Sequence, residues 1–212
     1  MERRELLKMI ALVTGGAVIG GEFFLTGCTT GANSDAGFTA KHINLLDEIA
    51  ETIIPATSTP GAKAAKVGEF MKVMVTDCYT KPQQEIFMKG ISQIDELSDK
   101  MYGYSFVKAS PAQRHELLVT LEKEAKAFTD KIKEEDNIRR TAIENKNNTI
   151  PWKDQVQFEP TPSHYYYMMK QLTLLGFFTS ETGMKDTLRY NPVPGRYDGN
   201  LPYQKGDKAW AE

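Results

Sequence analysis

The sequence predicts an all-α protein: one helical domain of about five main helices, followed by an irregular extension rich in proline, glycine and aromatic residues. Two observations carry that prediction. Apolar residues recur at three- and four-residue spacing in successive stretches, the period of a helix that buries one face. Those stretches open on hydroxyl residues or proline and close on glycine or proline, the chemistry of helix starts and stops.

Before the first of them comes a leader. Arg3, Arg4 and Lys8 precede an apolar run from Met9 to Gly20, and Leu25-Thr26-Gly27-Cys28 follows. A charged start, a short apolar core and a small-residue cleavage region form an export signal, and the run is shorter than the roughly 20 residues of a spanning helix. The paired arginines with a nearby lysine resemble a twin-arginine signal, a route for folded cargo. The segment ending at Cys28 resembles a lipobox, in which the thiol is acylated and the chain is cut before it. Residues 1–28 are therefore expected to be an export signal, with Cys28 left as a lipidated N-terminus facing the periplasm. The glycine pairs at 15–16 and 20–21 are not a dinucleotide loop, because no strand precedes them and no βαβ unit follows.

Beyond Cys28 there remain 184 of the 212 residues, ample for one domain with a core. Three basic and three acidic residues leave together, so the formal charge stays at -2 and offers no bulk attraction to nucleic acid. With Cys28 acylated, Cys78 is the remaining thiol, which excludes an internal disulfide and an all-cysteine zinc or iron–sulfur site in this chain. There is no C-x-x-C-H haem attachment motif. His42, His115 and His164 fall near the starts of three different helices without paired spacing, so they make poor metal ligands.

Residues 29–38, TTGANSDAGF, have the composition of a flexible tether, and the helical domain is expected over 39–182. Thr39 caps a helix carrying Ile43, Leu46, Ile49, Ala50 and Ile53, which Pro55 stops. The ATSTPGAKAAK loop follows. Val67, Phe70, Met71, Met74, Val75 and Cys78 mark a second helix from about Ala64 to Tyr79, with Cys78 read as a small core residue. A third begins after Thr80 with Pro82 in its first turn, buries Ile86, Phe87, Ile91, Ile94, Leu97 and Met101, and closes at Gly103. Ser110, Pro111 and Gln113 form a capping signature for a fourth, whose apolar side is Leu117, Leu118, Leu121, Ala125 and Phe128.

Beyond Phe128 a charged and amide-rich run, with Ile132, Ile138 and Ile143 recurring, either extends that helix or makes a solvated excursion. Thr161 and Pro162 signal the fifth helix, with Tyr165, Met168, Met169, Leu172, Leu175 and Phe178 facing inward. Residues 183–212 then lose helical periodicity but hold Tyr190, Tyr197, Tyr203 and Trp210, too aromatic for ordinary disorder. This extension has three possible fates: it lies on its own body, lies on a partner, or orders only on binding.

The stretches LLDEIAETIIPATSTPGAKAAKVGEFM, DCYT, LTLLGFFTSETG, NPVPGRYDG and KGDKAWA resemble the gluconate 2-dehydrogenase subunit 3 family, over about Phe38 to Trp210 and in the family's order. The resemblance implies a non-catalytic small subunit with no cofactor of its own. It pairs with a large FAD-dependent dehydrogenase of the glucose–methanol–choline class acting on sugars, sugar acids or polyols. In such systems the small subunit carries the large one through twin-arginine export, and electrons pass from the flavin to a cytochrome c subunit or another acceptor. Where related sequences carry a cysteine after the glycine of YDG, this chain has Asn200, so a disulfide from that position, with Cys78 as a candidate partner, is absent. The lipobox adds a membrane tether that many members lack.

On this reading the partner interface is Phe177, Phe178, Glu181, Tyr190, Pro192, Pro194, Tyr197 and Trp210. Two other classes of function compete with it. One is a stand-alone carbohydrate-binding lipoprotein whose exposed aromatics stack on sugar rings. The other is an enzyme using Asp77, His115 or Glu181 as acid–base groups, although nothing in the sequence fixes two of them at a useful separation.

Overall fold

The protein is described by a computed structural model covering residues 37–193, 195 and 199–211. The export and lipidation residues Arg3, Arg4 and Cys28 lie outside the described residues, as do Pro194 and Tyr197 of the expected interface. The described residues hold five α-helices: α1 (Ala40–Ile53), α2 (Val67–Cys78), α3 (Lys81–Tyr102), α4 (Pro111–Asn147) and α5 (Tyr165–Phe178). Strand is confined to two-residue segments, β1 (Arg189–Tyr190) and β2 (Trp210–Ala211), so the class is all-α.

Local chemistry places the helix starts. The Thr39 hydroxyl accepts from the His42 amide while His42 Nδ1 accepts from the Thr39 amide, both at 3.3 Å, a reciprocal cap with histidine in the role usually held by glutamate. Thr80 with Gln83, and Ser110 with Gln113, do the same for α3 and α4, each with proline in the first turn. Gly103 ends α3 in the left-handed conformation at φ 80°, with its amide donating to the Asp99 carbonyl. Between α2 and α3 the buried Gln84 side chain donates from Nε2 to the carbonyls of Val75, Thr76 and Tyr79, satisfying the open end of α2 from the next helix.

The core forms around α5, which packs against α1, α2, α3 and α4 alike. Its buried residues Tyr166, Met168, Met169, Leu172, Thr173, Gly176 and Phe177 are spread around much of the helix, as expected of one enclosed by neighbours. Two crossings depend on glycine. A Cβ on Gly90 of α3 would stand 2.4 Å from Tyr165 Cγ, and one on Gly176 of α5 would stand 2.6 Å from Phe70 Cδ1. Leu45, Leu46, Ile49 and Ala50 of α1, Val67, Met71 and Val75 of α2, Phe87, Ile91 and Ile94 of α3, Phe106, and Leu117 and Leu121 of α4 complete the core.

Several sequence expectations change. Cys78 is exposed, because it is the last residue of α2 and overhangs the packed part of that helix. Met101 and Phe128 are exposed for the same kind of reason, each lying where its helix leaves the body. The second helix starts at Val67, since Lys66 takes a left-handed φ of 53° and breaks the turn from Ala64. The fifth starts at Tyr165: Thr161 is occupied elsewhere, its amide and hydroxyl both bonded to Asp136 at 2.9 and 2.8 Å, and His164 caps instead. Leu175 and Phe178 face outward, and Phe177 takes the core position.

Helix α4 runs 37 residues, about 55 Å at 1.5 Å per residue, but its last buried side chain is Ala125. The remainder is an arm, and residues 148–164 return along it. Arg139 and Arg140 stack on Phe158 at 5.6 and 4.9 Å, Asp136 pairs with Arg139 and holds Thr161, and the Asn147 amide bonds Val156 through both of its atoms at 2.8 and 3.0 Å.

Candidate partner-docking surface

Helix α5 should be dark to solvent on every side, yet one strip of it is not. Leu174, Leu175 and Phe178 stand at i, i+1 and i+4 and are all exposed. The contrast is sharpest between neighbours: Phe177 is 1% exposed and Phe178 39%. The two rings meet edge to face at 5.1 Å and 76°, so the core residue props the outer one.

The chain then turns without leaving this edge. Ser180 donates to the Phe177 carbonyl at 2.6 Å and accepts from the Gly183 amide at 2.9 Å. That opens a π-helical turn, Thr182–Thr187, in which Gly183 is pressed against the backbone of α5. Glu181 is exposed and paired with Lys185 at 2.7 Å, and that ammonium holds its carboxyl below the ordinary range. Next, β1 and β2 pair in parallel, with Arg189 opposite Trp210 and Tyr190 opposite Ala211. The Arg189 guanidinium lies 4.6 Å from the centre of the Trp210 ring and 3.8 Å from Asp207, and Lys208 donates to the Asp186 carbonyl. The extension thus closes on its own start. Tyr190, Pro192, Val193, Leu201, Tyr203 and Trp210 remain exposed, Trp210 at 49%.

Of the expected interface residues, Phe178, Glu181, Tyr190, Pro192 and Trp210 are at the surface, Phe177 is withdrawn into the core, and Pro194 and Tyr197 lie outside the described residues. Sequence reasoning missed the arm tip. Trp152 opens a 3-10 turn, Trp152–Asp154, and is 85% exposed although the Asn147–Val156 clasp fixes the segment around it. A lone tryptophan inside an amide-rich run was the available signal.

The acidic residues of α1, part of the stretch that carries the family resemblance, are engaged in structure. Glu51 accepts from the amides of Ala56 and Lys63 at 2.8 and 2.9 Å, and Asp47 accepts from the Gly68 amide at 2.8 Å. Glu48 pairs with Lys63 and Arg114, and Arg114 also donates to the Phe106 and Val107 carbonyls. Burial pushes the Asp47 carboxyl up; at Glu48 burial pulls the same way but the two cations overcome it and hold the carboxyl low. These three carboxylates staple the loop between α1 and α2. The acid–base candidates Asp77, His115 and Glu181 sit on α2, on α4 and after α5, and no two of them are brought into hydrogen-bond contact. Among the described residues, no group of three or more histidine, cysteine, aspartate or glutamate side chains is placed to hold a metal ion, and no helix is long and apolar enough to cross a membrane.

A small helical body with a stapled core, an exposed apolar edge on its central helix and an aromatic extension is the form of a binding subunit. Residues 40–195 match the sequence model of the family described as gluconate 2-dehydrogenase subunit 3, and the chain belongs to that family. Its name makes the chain an accessory subunit of a gluconate dehydrogenase complex and implies a larger dehydrogenase partner. The match takes in Phe178, Tyr190, Pro192 and the arm, and stops short of Trp210. No curated protein and no solved structure matches the chain.

Proposed function

We propose that this chain is the non-catalytic small subunit of a periplasmic FAD-dependent sugar, sugar-acid or polyol dehydrogenase of the glucose–methanol–choline type. It docks on the large flavoprotein through the outer strip of α5 and the C-terminal extension. FAD belongs to the large subunit, which passes electrons to a cytochrome c or another acceptor. The small subunit brings its partner across the membrane by the twin-arginine route through Arg3 and Arg4, and the lipids on Cys28 tether the pair. A bacterial lipoprotein's several chains hold where one acyl chain binds marginally.

The observation that carries this reading is the strip Leu174, Leu175 and Phe178, solvent-facing apolar residues on the helix that organises the core. Aromatic side chains on a rigid support are frequent at interface centres, and apolar neighbours such as the two leucines exclude water around them. Trp152, fixed at the arm tip, is a second anchor of the same kind.

The test is to tag the chain at its C-terminus in its native host, purify it gently from the membrane fraction and record an absorbance spectrum beside a denaturing gel. A yellow complex with a second, larger polypeptide is expected. A colourless lone chain that binds sugar, isolated where other envelope complexes survive, would replace this reading with the carbohydrate-binding lipoprotein.

A further inference from the structure

Where the arm's returning segment re-enters the body, the cap of α5 is a titratable group. His164 is 9% exposed, and its Nδ1 accepts from the Tyr166 amide at 3.3 Å, which places the ring proton on Nε2. Nε2 lies 3.9 Å from Glu124 Oε1, beyond hydrogen-bond range. The ring packs at 4.2 Å on Tyr165 and at 5.6 Å on Phe128, the apolar residue at which α4 leaves the body. The starts of α3 and α4 are capped by Thr80 and Ser110 with glutamine partners, groups that do not titrate, while at α1 the Thr39 hydroxyl takes the cap and the His42 ring serves as its reciprocal partner.

We propose that His164 is an acid-sensitive latch: the neutral ring caps α5 and fastens the root of the arm to the body, and protonation of Nδ1 undoes that fastening. A proton on Nδ1 turns the acceptor into a donor aimed at the Tyr166 amide, so two donors face each other where one hydrogen bond stood. The surroundings do little to welcome the charge. From α4 comes Glu124, largely exposed and screened by water. From α3, Glu96 and Lys100 line the hollow shared by Tyr165 and Glu124 and offset one another. On α5 the Tyr165 phenol, raised to about 12 by burial and by Glu124, stays neutral, and Lys170 is taken up by Glu122 at 2.7 Å.

Burial accordingly holds His164 below its ordinary value. For a group depressed in the folded state, the unfolded chain binds protons first. The latch therefore contributes fully above about pH 6.5 and is lost as the pH falls from there through the folded value. The second fastening behaves differently: Asp136, held near about 2 chiefly by Arg139 and Thr161, keeps gripping Thr161 throughout that window. Acid thus frees the root of the arm and leaves its outer strap closed.

The experiment is amide hydrogen exchange on the purified chain at pH 7.5 and 5.0, corrected for intrinsic rates, with a proton-NMR titration of the imidazole. In the unaltered chain the Tyr166 amide should lose protection about fivefold at the lower pH, and the His164 ring should titrate below 6.5. His164→Asn, which caps without titrating, should keep the same protection at both values. Unchanged protection in the unaltered chain, an equal loss in His164→Asn, or a ring that titrates at or above 6.5 would each overturn the latch. The titration needs no variant, so the proposal stays testable even if His164→Asn folds poorly.

Discussion

Adjacent phenylalanines with opposite environments allow assembly to be separated from folding. Phe177 is 1% exposed, and its replacement by alanine leaves a cavity in the core beside α5, a change that costs about 3–5 kcal/mol in other proteins. At roughly 2–4 °C per kcal/mol for a chain of this size, the melting temperature should fall by about 6–20 °C. Phe178 is 39% exposed. An aromatic side chain presents about 200 Å² when free, so some 80 Å² remains for a partner to cover, worth about 2 kcal/mol at 25 cal/mol per Å². Phe178→Ala should therefore weaken the complex roughly thirtyfold. Its effect on the isolated chain should be much smaller than that of Phe177→Ala, since its ring packs only in part. The assay pairs thermal unfolding of each isolated variant with titration of each against the purified large subunit by calorimetry. If Phe178→Ala binds within threefold of the unaltered chain, the outer strip of α5 is not the docking edge. A melting temperature lowered as much by Phe178→Ala as by Phe177→Ala would refute the assignment of core and surface.

Three further outcomes follow from other parts of the molecule. A Cβ on Gly68 would lie 2.7 Å from both Asp47 Oδ1 and the Ile43 carbonyl, so Gly68→Ala should cost about 1–3 kcal/mol, read as a lower melting temperature in scanning calorimetry. Because Lys63 and Arg114 hold the Glu48 carboxyl low, its share of stability is fully present above the unfolded carboxylate value of about 4.3 and is lost as the pH falls through the folded one; a denaturant series should show that acid limb flattened in Glu48→Gln. Trp152→Ala should leave the melting temperature within about 2 °C, since the ring is 85% exposed, yet weaken binding to the large subunit at least about tenfold in the same titration, and undiminished affinity would remove the arm tip from the interface.

What the sequence made legible was local. Thr39, Thr80 with Pro82, Ser110 with Pro111 and Gln113, and Gly103 act on backbone groups within four residues, and each does in the fold what its chemistry predicts. The clearest failure is one in which a distant group decided. Thr161 has the chemistry of a cap but is held by Asp136, 25 positions away, so the start of α5 passes to His164. Cys78 continues the apolar face of α2 by angle, yet at the last position of the helix its side chain is left exposed. The proposed docking edge was half legible, because an aromatic-rich segment announces burial without saying whether its own body or another supplies the cover. In α5 the periodic signal is weak: apolar residues surround most of the helix, and Gln171, three and four positions before Leu174 and Leu175 on the outer strip, is the polar residue that marks the outward face. That face is defined by which sides α1 to α4 leave open, with Phe70 against Gly176 and Tyr165 against Gly90 fixing how close the neighbours come. An outward strip that carries three large apolar residues beside one amide, Gln171, and is left uncovered by its own domain has a composition that makes sense once a second polypeptide is added. The uncovered residues Leu174, Leu175 and Phe178 are therefore where a partner is most informative to seek.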